Sequence, residues 1–331
     1  MDPLAKAQIG RTSLRVTRMG LGGAALGGLF ETVPEESAVA TVRRALAFGI
    51  NFFDTAPLYG HGKSEMYLGK GLAGVDPDSR VLASKVGRLL VPVDPATQLQ
   101  DDCYINPAPF EPEFDYSYDG VMRSFEESKK RLNLDRVDIL HIHDADDHYE
   151  QAIEGAYPAL DKLRSEGQIK AIGAGMNQWE MLARFARAGN FDCFLLAGRY
   201  TLIDHTALRE LLPLCVKKQI SIIIGGPYNS GVLATGARPG AKFNYADAPP
   251  EILDKVRKVQ ELCDRHQVPM KAAALQFPLA HPAVAAVIPG ARSVAEVEEN
   301  FRLISHPIPA AFWAEMRAQR LIPDEAPVPR D

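Results

Sequence analysis

Cysteine and long apolar runs are both scarce in this sequence, and each scarcity excludes a class of protein. Its four cysteines are scattered along the 331 residues, at Cys103, Cys193, Cys215 and Cys263. Because the last three have apolar neighbours, we expect small buried thiols in a reducing compartment and no disulfide framework. No apolar run is long enough to span a bilayer, and the first residues, MDPLAKAQIGRTSLRV, lack the apolar core of a signal peptide. The sequence therefore predicts a cytoplasmic protein.

An excess of positive charge is also missing. The formal net charge is −5 and the sequence pI is about 5.9. Nucleic acids and anionic membranes both attract cationic surfaces, so we expect neither as a partner. With 46% hydrophobic and 24% charged residues, the composition is that of an ordinary globular protein. The oligomeric state is left open.

What is present is a regular alternation of strand-like and helix-like segments. Short apolar runs predict strands at Met19–Gly22, Ile50–Phe53, Val81–Ser84, Val137–Ile142, Ile169–Gly173, Phe191–Leu196, Ile220–Ile224 and Val284–Ile288. Amphipathic segments predict helices at Ser37–Phe48, Tyr118–Leu132, Ala152–Ser165, Asn177–Ala188, Thr206–Lys218, Ile252–His266 and Val294–Ile304. Eight strands that alternate with helices favour a closed (β/α)8 TIM barrel over an open doubly wound sheet. Without a repeat or a linker, residues 1–331 are expected to form a single domain with a short N-terminal hairpin that turns near Gly10.

One connection, Val86–Asp119, is much longer than the others. Loops of this length are uncommon and are often binding loops or lids. A disordered insertion would be poor in aromatic residues. This one contains five of them: Tyr104, Phe110, Phe114, Tyr116 and Tyr118. We therefore expect a folded loop over the mouth of the barrel.

Polar residues that can carry chemistry follow three successive strands. Asp54 follows the second strand, with Tyr59 five residues further on. Lys85 ends the third strand and His143 ends the fourth. Each alone has an ordinary explanation, as a turn former, a surface cation or a hydrogen-bonded core imidazole. In a barrel, however, the C-terminal ends of all strands open onto one face, so the four side chains are expected to meet there.

An acid, a phenol, an ammonium group and an imidazole suit proton transfer to or from an alcohol or carbonyl oxygen. The ordinary pKa of tyrosine, about 10, is too high for a base at neutral pH. An ammonium group beside the phenol lowers that pKa, and a buried carboxylate keeps the ammonium group charged. The imidazole can orient the substrate oxygen by a hydrogen bond. A redox reaction would also need a cofactor, because no side chain accepts a hydride.

Six segments carry a family resemblance that covers the chain from the first strand to the last helix. They are NFFDTAPLYGHGKSE, ASKVG, VDILHIHD, AIGAGMNQ, GGPYNSGVLATG and VIPGARSVAEVEEN. These segments resemble the aldo-keto reductase superfamily, and the one around Asp54 and Tyr59 is specific to it. The resemblance implies a barrel in which Tyr59 is the general acid/base and His143 orients the substrate oxygen. It further implies that Lys85 and Asp54 tune the phenol.

The same resemblance implies a nicotinamide dinucleotide, bound in extended form across the mouth without a Rossmann fingerprint. The run GLGGAALGG at Gly20–Gly28 lacks the spacing of that fingerprint, and its implied role is a close approach to the nicotinamide. Asn177 is implied to hold the carboxamide. The remaining implied contacts are Gly22, Gly23, Ala24 and Asp54 near the nicotinamide, Pro227, Tyr228, Asn229, Ser230 and Gly231 at the pyrophosphate, and Gly290, Ala291, Arg292, Glu296 and Asn300 at the adenosine end. No metal ion is implied.

Three positions depart from the family pattern. Ala197 stands where a glutamine helps to hold the carboxamide, and Gly225 where an aromatic residue stacks on the nicotinamide. Glu296 stands where NADPH-preferring members have an arginine for the 2′-phosphate. A carboxylate there repels a phosphate and can accept a hydrogen bond from a free ribose hydroxyl, so NAD is the expected cofactor. Arg292 is close enough in sequence to compensate, which keeps NADP possible.

Four further segments resemble one branch of the superfamily. LGGAALGGLF, DYSYDGVMRSFEESKKRL, IHDAD and LLAGRYTL are similar to the branch that contains D-threo-aldose 1-dehydrogenase, L-fucose dehydrogenase and pyridoxal 4-dehydrogenase. The implied reaction is oxidation of an aldose at C1 to the lactone, with Tyr59 as general base. The alternatives are oxidation of pyridoxal, general reduction of aldehydes or ketones, and a cofactor-binding regulatory subunit without turnover.

Overall fold

The computed structural model describes residues 1–96, 98 and 100–329. Its strands are β1 (Lys6–Gln8), β2 (Arg15–Thr17), β3 (Leu21–Gly22), β4 (Phe52–Asp54), β5 (Val81–Val86), β6 (Arg88–Pro92), β7 (Phe110–Phe114), β8 (Ile139–His143), β9 (Ala171–Met176), β10 (Cys193–Ala197), β11 (Ser221–Gly225), β12 (Lys242–Phe243), β13 (Ala246–Asp247) and β14 (Val284–Ile288). Its α-helices are α1 (Glu35–Ala47), α2 (Lys63–Leu72), α3 (Tyr118–Leu132), α4 (Tyr149–Gln151), α5 (Tyr157–Ser165), α6 (Trp179–Ala188), α7 (Leu211–Lys218), α8 (Val232–Thr235), α9 (Pro250–His266), α10 (Met270–Leu279), α11 (Val294–Ile304) and α12 (Ala310–Ala318).

Eight of these strands form one parallel sheet, in the order β3-β4-β5-β8-β9-β10-β11-β14. Bridges from Met19 to Val287 and from Gly22 to Gly290 bring the first strand alongside the last, so the sheet closes into a barrel. The predicted (β/α)8 fold is confirmed. The predicted hairpin, β1 with β2, is confirmed as well. It covers the N-terminal end of the barrel, where the Gly10 N–H donates to Ser221 Oγ over 2.8 Å.

Both faces of the barrel strands are buried, which explains why they are nearly continuous apolar runs. Side chains such as Phe52, Ile139 and Ile223 fill the interior, and the outer faces pack against the helices. Gly173 on β9 leaves room for the buried imidazole of His141, because a Cβ there would lie 2.4 Å from His141 Nδ1. Burial lowers the pKa of His141 to about 3, so this interior imidazole is neutral at neutral pH.

Among the described residues, five helices have no counterpart in the sequence prediction: α2, α10, α12 and the single turns α4 and α8. Every residue of α10 except Lys271 is buried, so its sequence lacks an amphipathic period. Helix α2 contains two glycines, which read as loop residues. One of them, Gly69, permits a close approach to α3, because a Cβ there would lie 1.9 Å from the Leu132 carbonyl oxygen.

Two other predicted helices are interrupted or shortened by proline. The segment predicted as a helix at Ala152–Ser165 begins with a π-helical turn, Ala152–Ala156, because Pro158 has no N–H for the carbonyl four residues back. Helix α7 begins at Leu211 instead of Thr206, with Pro213 in its first turn. A proline is best tolerated in the first turn, where its missing N–H has no partner within the helix, and this favours a helix start near Leu211.

The long connection Val86–Asp119 contains the hairpin β6–β7, which confirms a folded loop for its described residues; Thr97 and Leu99 lie outside them. The chain reverses at Gly87, whose φ of 101° favours glycine and whose Cβ would lie 2.1 Å from the Tyr116 ring. Residues 100–108, which we call the lid segment, cross the mouth of the barrel. Among the described residues, no helix is long and apolar enough to cross a membrane.

Candidate active site

A buried ion pair lies at the C-terminal ends of β4 and β5. Lys85 Nζ donates to Asp54 Oδ1 and Oδ2 over 2.8 and 3.0 Å and to the Thr55 carbonyl oxygen over 2.8 Å. The two side chains are 1% and 2% exposed. Burial raises the pKa of Asp54, and the Lys85 ammonium group opposes this shift. With its three donors engaged, the ammonium group is fixed at one position beneath the mouth.

The ring of Tyr59 lies beside this pair, with its centroid 4.6 Å from Lys85 Nζ. Burial raises the pKa of Tyr59 well above its ordinary value, and the Asp54 carboxylate adds to the shift. The net shift is upward because burial, its largest cause, disfavours the charged phenolate. That Lys85 lowers this pKa relative to a site without the ammonium group stays a prediction. The phenol is protonated at neutral pH.

His143, the last residue of β8, faces the same phenol. The two ring centroids are 5.8 Å apart and the ring planes are nearly perpendicular, at 86°. Burial lowers the pKa of His143 well below its ordinary value, and the charges of Lys85 and Arg88 add to the shift. The imidazole is therefore neutral at neutral pH, with one nitrogen that donates and one that accepts. The structure thus brings together the four side chains that the sequence placed at the strand ends.

Tyr116 holds the end of β8 in place. Its hydroxyl donates to the carbonyl oxygens of His143 and Asp144 over 2.5 and 2.9 Å. The second of these residues has a φ of 45°, a left-handed conformation that an aspartate tolerates. Because the same ring packs under Gly87, one side chain fixes the chain direction after both β5 and β8.

A buried carboxylate, Glu65, ties β5 to the surrounding helices. It accepts hydrogen bonds from Ser84 Oγ over 2.8 Å and from Arg131 Nε over 2.6 Å. Glu65 is fully buried, and a buried charge is tolerated only with partners of this kind. The residue next to Lys85 is therefore anchored to α2 and α3.

A cavity of about 290 Å³ opens above these residues. Its floor contains Tyr59, Lys85 and His143. Its walls are mainly apolar and aromatic, and they include Leu29 and the lid residue Tyr104. These two residues form an antiparallel bridge across the mouth. The size of the cavity suits a small molecule such as a monosaccharide.

Besides Lys85, three charged side chains of the described residues reach this cavity: Arg88, Asp101 and Asp144. Asp101 is occupied in holding the lid segment. Its Oδ1 accepts the N–H groups of Cys103 and Tyr104 over 2.7 and 2.6 Å, and its Oδ2 contacts His61 Nε2 at 3.0 Å. Arg88 and Asp144 pair with each other, at 2.9 Å between Nη2 and Oδ2. Burial raises the pKa of Asp144, and the Arg88 guanidinium opposes this shift.

A second cleft, of about 360 Å³, continues from the cavity, because Leu29 lines both. It runs along the loop after β11 to the start of α11. Gly226 and Gly231 in this loop have φ values of 56° and 100°, and apart from chain neighbours no atom lies within 3.8 Å of their Cβ positions. The backbone is therefore open to a ligand there. Tyr228 donates to Asn300 Oδ1 over 2.6 Å at the far end. This shape fits an extended dinucleotide whose reactive end enters the cavity.

At the far end of the cleft, Arg292 is engaged by two carboxylates. Its Nη2 and its backbone N–H donate to Glu296 over 2.8 Å each, and its Nη1 donates to Glu31. The hydrogen bond and charge of Glu296, with a contribution from Glu31, raise the pKa of Arg292. Ser293 caps α11 by accepting the Glu296 N–H, which keeps the carboxylate at the helix start. The positive charge of Arg292 is thus balanced within the protein.

The residues predicted to contact the cofactor fall into three groups: those that line the cleft, one that lines the cavity, and those that line neither. Those that line the cleft are Pro227, Tyr228, Ser230, Gly231, Gly290, Arg292, Glu296 and Asn300. Asn177 lines the cavity, where its Nδ2 donates to the Ala197 carbonyl oxygen over 2.9 Å. The linings of the cavity and the cleft do not include Gly22, Gly23, Ala24, Asp54, Asn229 or Ala291. A glycine is required at position 23 for packing, because a Cβ there would lie 2.6 Å from the Asp54 carbonyl oxygen.

The two small residues that depart from the family pattern lie close together. Ala197 lines the cavity. Beside Gly225, the space is taken by Leu195, because a Cβ at Gly225 would lie 2.9 Å from Leu195 Cδ2. A larger residue at this position would therefore require Leu195 to move.

Sequence reasoning did not single out several residues of the cavity lining, among them Arg88, Asp144 and Tyr245. The first two could have been found from the sequence, because each is a charged residue just after a strand that ends at the mouth. Arg88 follows the glycine after β5, and Asp144 directly follows His143. Tyr245 could not have been found in this way. It lies in the turn between β12 and β13 with a φ of 65°, and its ring centroid is 6.5 Å from that of Phe30.

The barrel has four side chains suited to proton transfer at its mouth, and beside them a cleft that can hold an extended dinucleotide. These features indicate a nicotinamide-dependent oxidoreductase. The model of the aldo/keto reductase family matches residues 18–320, and the chain belongs to this family. It is an NAD(P)-dependent enzyme of that type.

Two curated relatives cover almost the whole chain. The pyridoxal 4-dehydrogenase of Microbacterium luteolum is 40% identical over 335 residues, which cover 96% of this chain and 98% of the relative. The D-threo-aldose 1-dehydrogenase of a Pseudomonas species is 37% identical over 327 residues, which cover 97% and 98%. Among solved structures, the holo form of aldo-keto reductase AKR11C1 from Bacillus halodurans has a TM-score of 0.74 and 25% identity, with 99% of each chain covered.

Proposed function

We propose that this protein oxidises the cyclic hemiacetal of an aldose at C1 to the lactone, with NAD as the oxidant. The observation that carries the proposal is the Tyr59 phenol, 4.6 Å from Lys85 Nζ at the ring centroid, on the floor of a cavity of monosaccharide size. The two relatives named above support the same reaction type, because aldoses and pyridoxal both form cyclic hemiacetals that oxidise to lactones.

Tyr59 handles the proton of the C1 hydroxyl. Oxidation removes this proton and the hydrogen on C1 with its bonding electrons, and the C1–O bond becomes the lactone carbonyl. The nicotinamide, when bound, accepts the hydride. The Tyr59 phenolate accepts the hydroxyl proton, and the Lys85 ammonium group stabilises the phenolate until it does so. Because burial raises the pKa of the phenol, we expect oxidation to accelerate as the pH rises.

His143 orients the oxygen that reacts. Its pKa is lowered by burial, so the neutral ring can donate one N–H to the C1 oxygen without adding a positive charge. The nearly perpendicular arrangement of the His143 and Tyr59 rings allows both to reach one oxygen atom between them.

The charges around Arg292 support NAD as the cofactor. Glu296 and Glu31 both contact its guanidinium group, so a 2′-phosphate would meet two carboxylates and a cation that is already paired. A free ribose hydroxyl can donate to the same carboxylates.

Oxidation of pyridoxal is the second candidate. It is supported by the 40% identity to a pyridoxal 4-dehydrogenase and by the aromatic walls of the cavity, Tyr104 and Tyr245, which can pack against a pyridine ring.

A screen for NADH formation tests the proposal. Aldoses of D and L series and pyridoxal are each offered with NAD and with NADP, and the Tyr59→Phe variant provides the background. We expect at least one aldose to give the highest kcat/KM, with NAD. A higher value for pyridoxal would select the second candidate, and no NADH with any substrate would favour a regulatory role instead.

A further inference from the structure

We propose that Arg88 and Asp144 form a subsite for the hydroxyl on C2 of the sugar, the carbon next to the one oxidised. The inference rests on the proposed function and deepens it. Both side chains line the cavity, both are only partly exposed, at 18% and 29%, and they are paired at 2.9 Å. No step of the proton transfer described above uses either of them.

The position of Asp144 selects the atom it contacts. Its Oδ2 lies 3.5 Å from His143 Nε2. A sugar whose C1 oxygen is bonded to this imidazole has two oxygens next in reach, the ring oxygen and the C2 hydroxyl. The ring oxygen and an ionised carboxylate are both hydrogen-bond acceptors without a proton to donate, so they cannot bond to each other. The C2 hydroxyl can donate, so it is the group that Asp144 can bind.

Arg88 supplies the matching donor. Its Nη2 is bonded to Asp144, and the side chain keeps 18% of its surface exposed where it lines the cavity. A guanidinium group has five N–H donors, so its Nη1 and Nη2 groups, and not the buried Nε, are those that can donate to the oxygen of a sugar hydroxyl. One hydroxyl can thus donate to the carboxylate and accept from the guanidinium group.

The pair is held rigidly, as a recognition site requires. The Arg88 guanidinium carbon lies 4.6 Å from the centroid of the Phe114 ring, which packs against it. Tyr116 fixes the backbone of Asp144 through its carbonyl oxygen, and the Asp144 N–H donates to the Gly175 carbonyl oxygen over 3.0 Å. Little conformational entropy is therefore lost when a ligand binds.

The other carboxylate in the cavity cannot take this role. Both oxygens of Asp101 are already engaged, by two backbone N–H groups and by His61. Asp144, by contrast, has its Oδ2 shared with Arg88 and keeps capacity for a hydroxyl donor.

A subsite of this kind also separates the two candidate substrates. Pyridoxal has an acidic ring hydroxyl beside the carbon that bears its aldehyde, and its anionic form would be repelled by Asp144. Replacement of Asp144 by asparagine removes the negative charge and keeps the shape. The variant is therefore expected to favour pyridoxal, relative to an aldose, more than the wild type does.

The test compares L-fucose, or the aldose ranked first in the NADH screen, with its 2-deoxy analogue. In the wild type, loss of the C2 hydroxyl should lower kcat/KM about 10- to 100-fold, as for a hydrogen bond to a charged group. In Asp144→Asn the parent sugar should lose most of this advantage, whereas the 2-deoxy sugar changes little. Arg88→Lys, which keeps the charge but loses the forked guanidinium donors, should also reduce the ratio of kcat/KM for the parent sugar to that for its 2-deoxy analogue.

Asp146→Asn is the matched control, because Asp146 is two residues away, outside the cavity lining, and bonded by Gln178 at 2.9 Å. This variant should keep the wild-type ratio of kcat/KM for the parent sugar to that for its 2-deoxy analogue. NAD affinity and a thermal melt show whether each variant is folded. If the wild type oxidises the parent sugar but Asp144→Asn keeps the wild-type ratio, the subsite is refuted and the proposed function stands. If no aldose is oxidised by the wild type, the proposed function fails and the subsite with it.

Discussion

Glu296 is the residue on which the choice between NAD and NADP is expected to depend. Replacing it with arginine removes one of the two carboxylates that balance Arg292 and adds a cation at the start of α11. The local charge changes by two units, and Arg292 is freed from its main partner. A 2′-phosphate would then meet two guanidinium groups.

The size of the effect follows from Coulomb's law in water, since Arg292 and Glu296 are 38% and 37% exposed. A 2′-phosphate carries close to two negative charges, so at about 5 Å each unit of protein charge changes its energy by about 1.7 kcal/mol. Two units give about 3 kcal/mol at low salt, and screening at physiological ionic strength reduces this by about half. The preference should therefore shift toward NADP by about 20-fold at physiological salt and about 200-fold at low salt.

The assay is kcat/KM for both cofactors with one substrate, at two ionic strengths, together with binding of each oxidised cofactor by fluorescence titration. Glu298→Arg is the control. It makes the same change of charge two residues further along α11, where Glu298 pairs with Arg44 at 2.8 Å and does not line the cleft. Its effect on the ratio of kcat/KM for NADP to kcat/KM for NAD should be small. Glu31→Gln, a change of one unit, should give an intermediate shift.

Two results would refute the reasoning. A wild type that prefers NADP would mean that Arg292 binds the phosphate despite its two carboxylates. An equal shift in Glu296→Arg and Glu298→Arg would mean that the overall charge of the helix matters and the contacts of Arg292 do not.

The remaining predictions concern the floor of the cavity. Tyr59→Phe should lower turnover by roughly 10²–10⁴, as for loss of a general acid/base, and leave NAD affinity nearly unchanged in a titration. Near-normal turnover would assign the proton to another group. Lys85→Met should also be severe and partly recover at high pH, where the phenol ionises without help; a thermal melt identifies any loss of folding caused by the unpaired Asp54. Because the pKa of His143 is lowered, kcat/KM for the reductive direction should show no inflection near pH 6.5, and an inflection that disappears in His143→Asn would contradict a neutral imidazole.

Strand ends were predictable from the sequence, because a barrel brings all of them to one face. An apolar run followed by a polar residue marks a strand exit, and this signal placed Asp54, Lys85 and His143 correctly at the mouth. Their mutual contacts then follow from the fold, without knowledge of any loop. The direction of the Tyr59 pKa shift was not predictable. It depends on the depth of burial and on how close the Asp54 carboxylate lies, and both are properties of packing.

Which loop side chains reach the cavity could largely not be predicted from the sequence. The ring of Tyr245 reaches the cavity only because the turn between β12 and β13 has a left-handed residue, and no local pattern indicates where such a turn points. The same limit applies to the Glu65–Arg131 pair, whose members are 66 residues apart and meet through helix packing. Helix α10 was missed because it is buried all round, which removes the periodicity that identifies a helix.

The bridge between Leu29 and Tyr104 has a consequence for residence times. Phe30 donates to the Cys103 carbonyl oxygen over 2.8 Å, and Ile105 donates to that of Gly28 over 3.0 Å. For product to leave by a lift of the lid segment, these two hydrogen bonds would have to break or residues 28–30 would have to move with it. Leu29 lines both the substrate cavity and the cofactor cleft, so either movement would also widen the cleft. Release of the product and release of the spent cofactor would then depend on one shared opening.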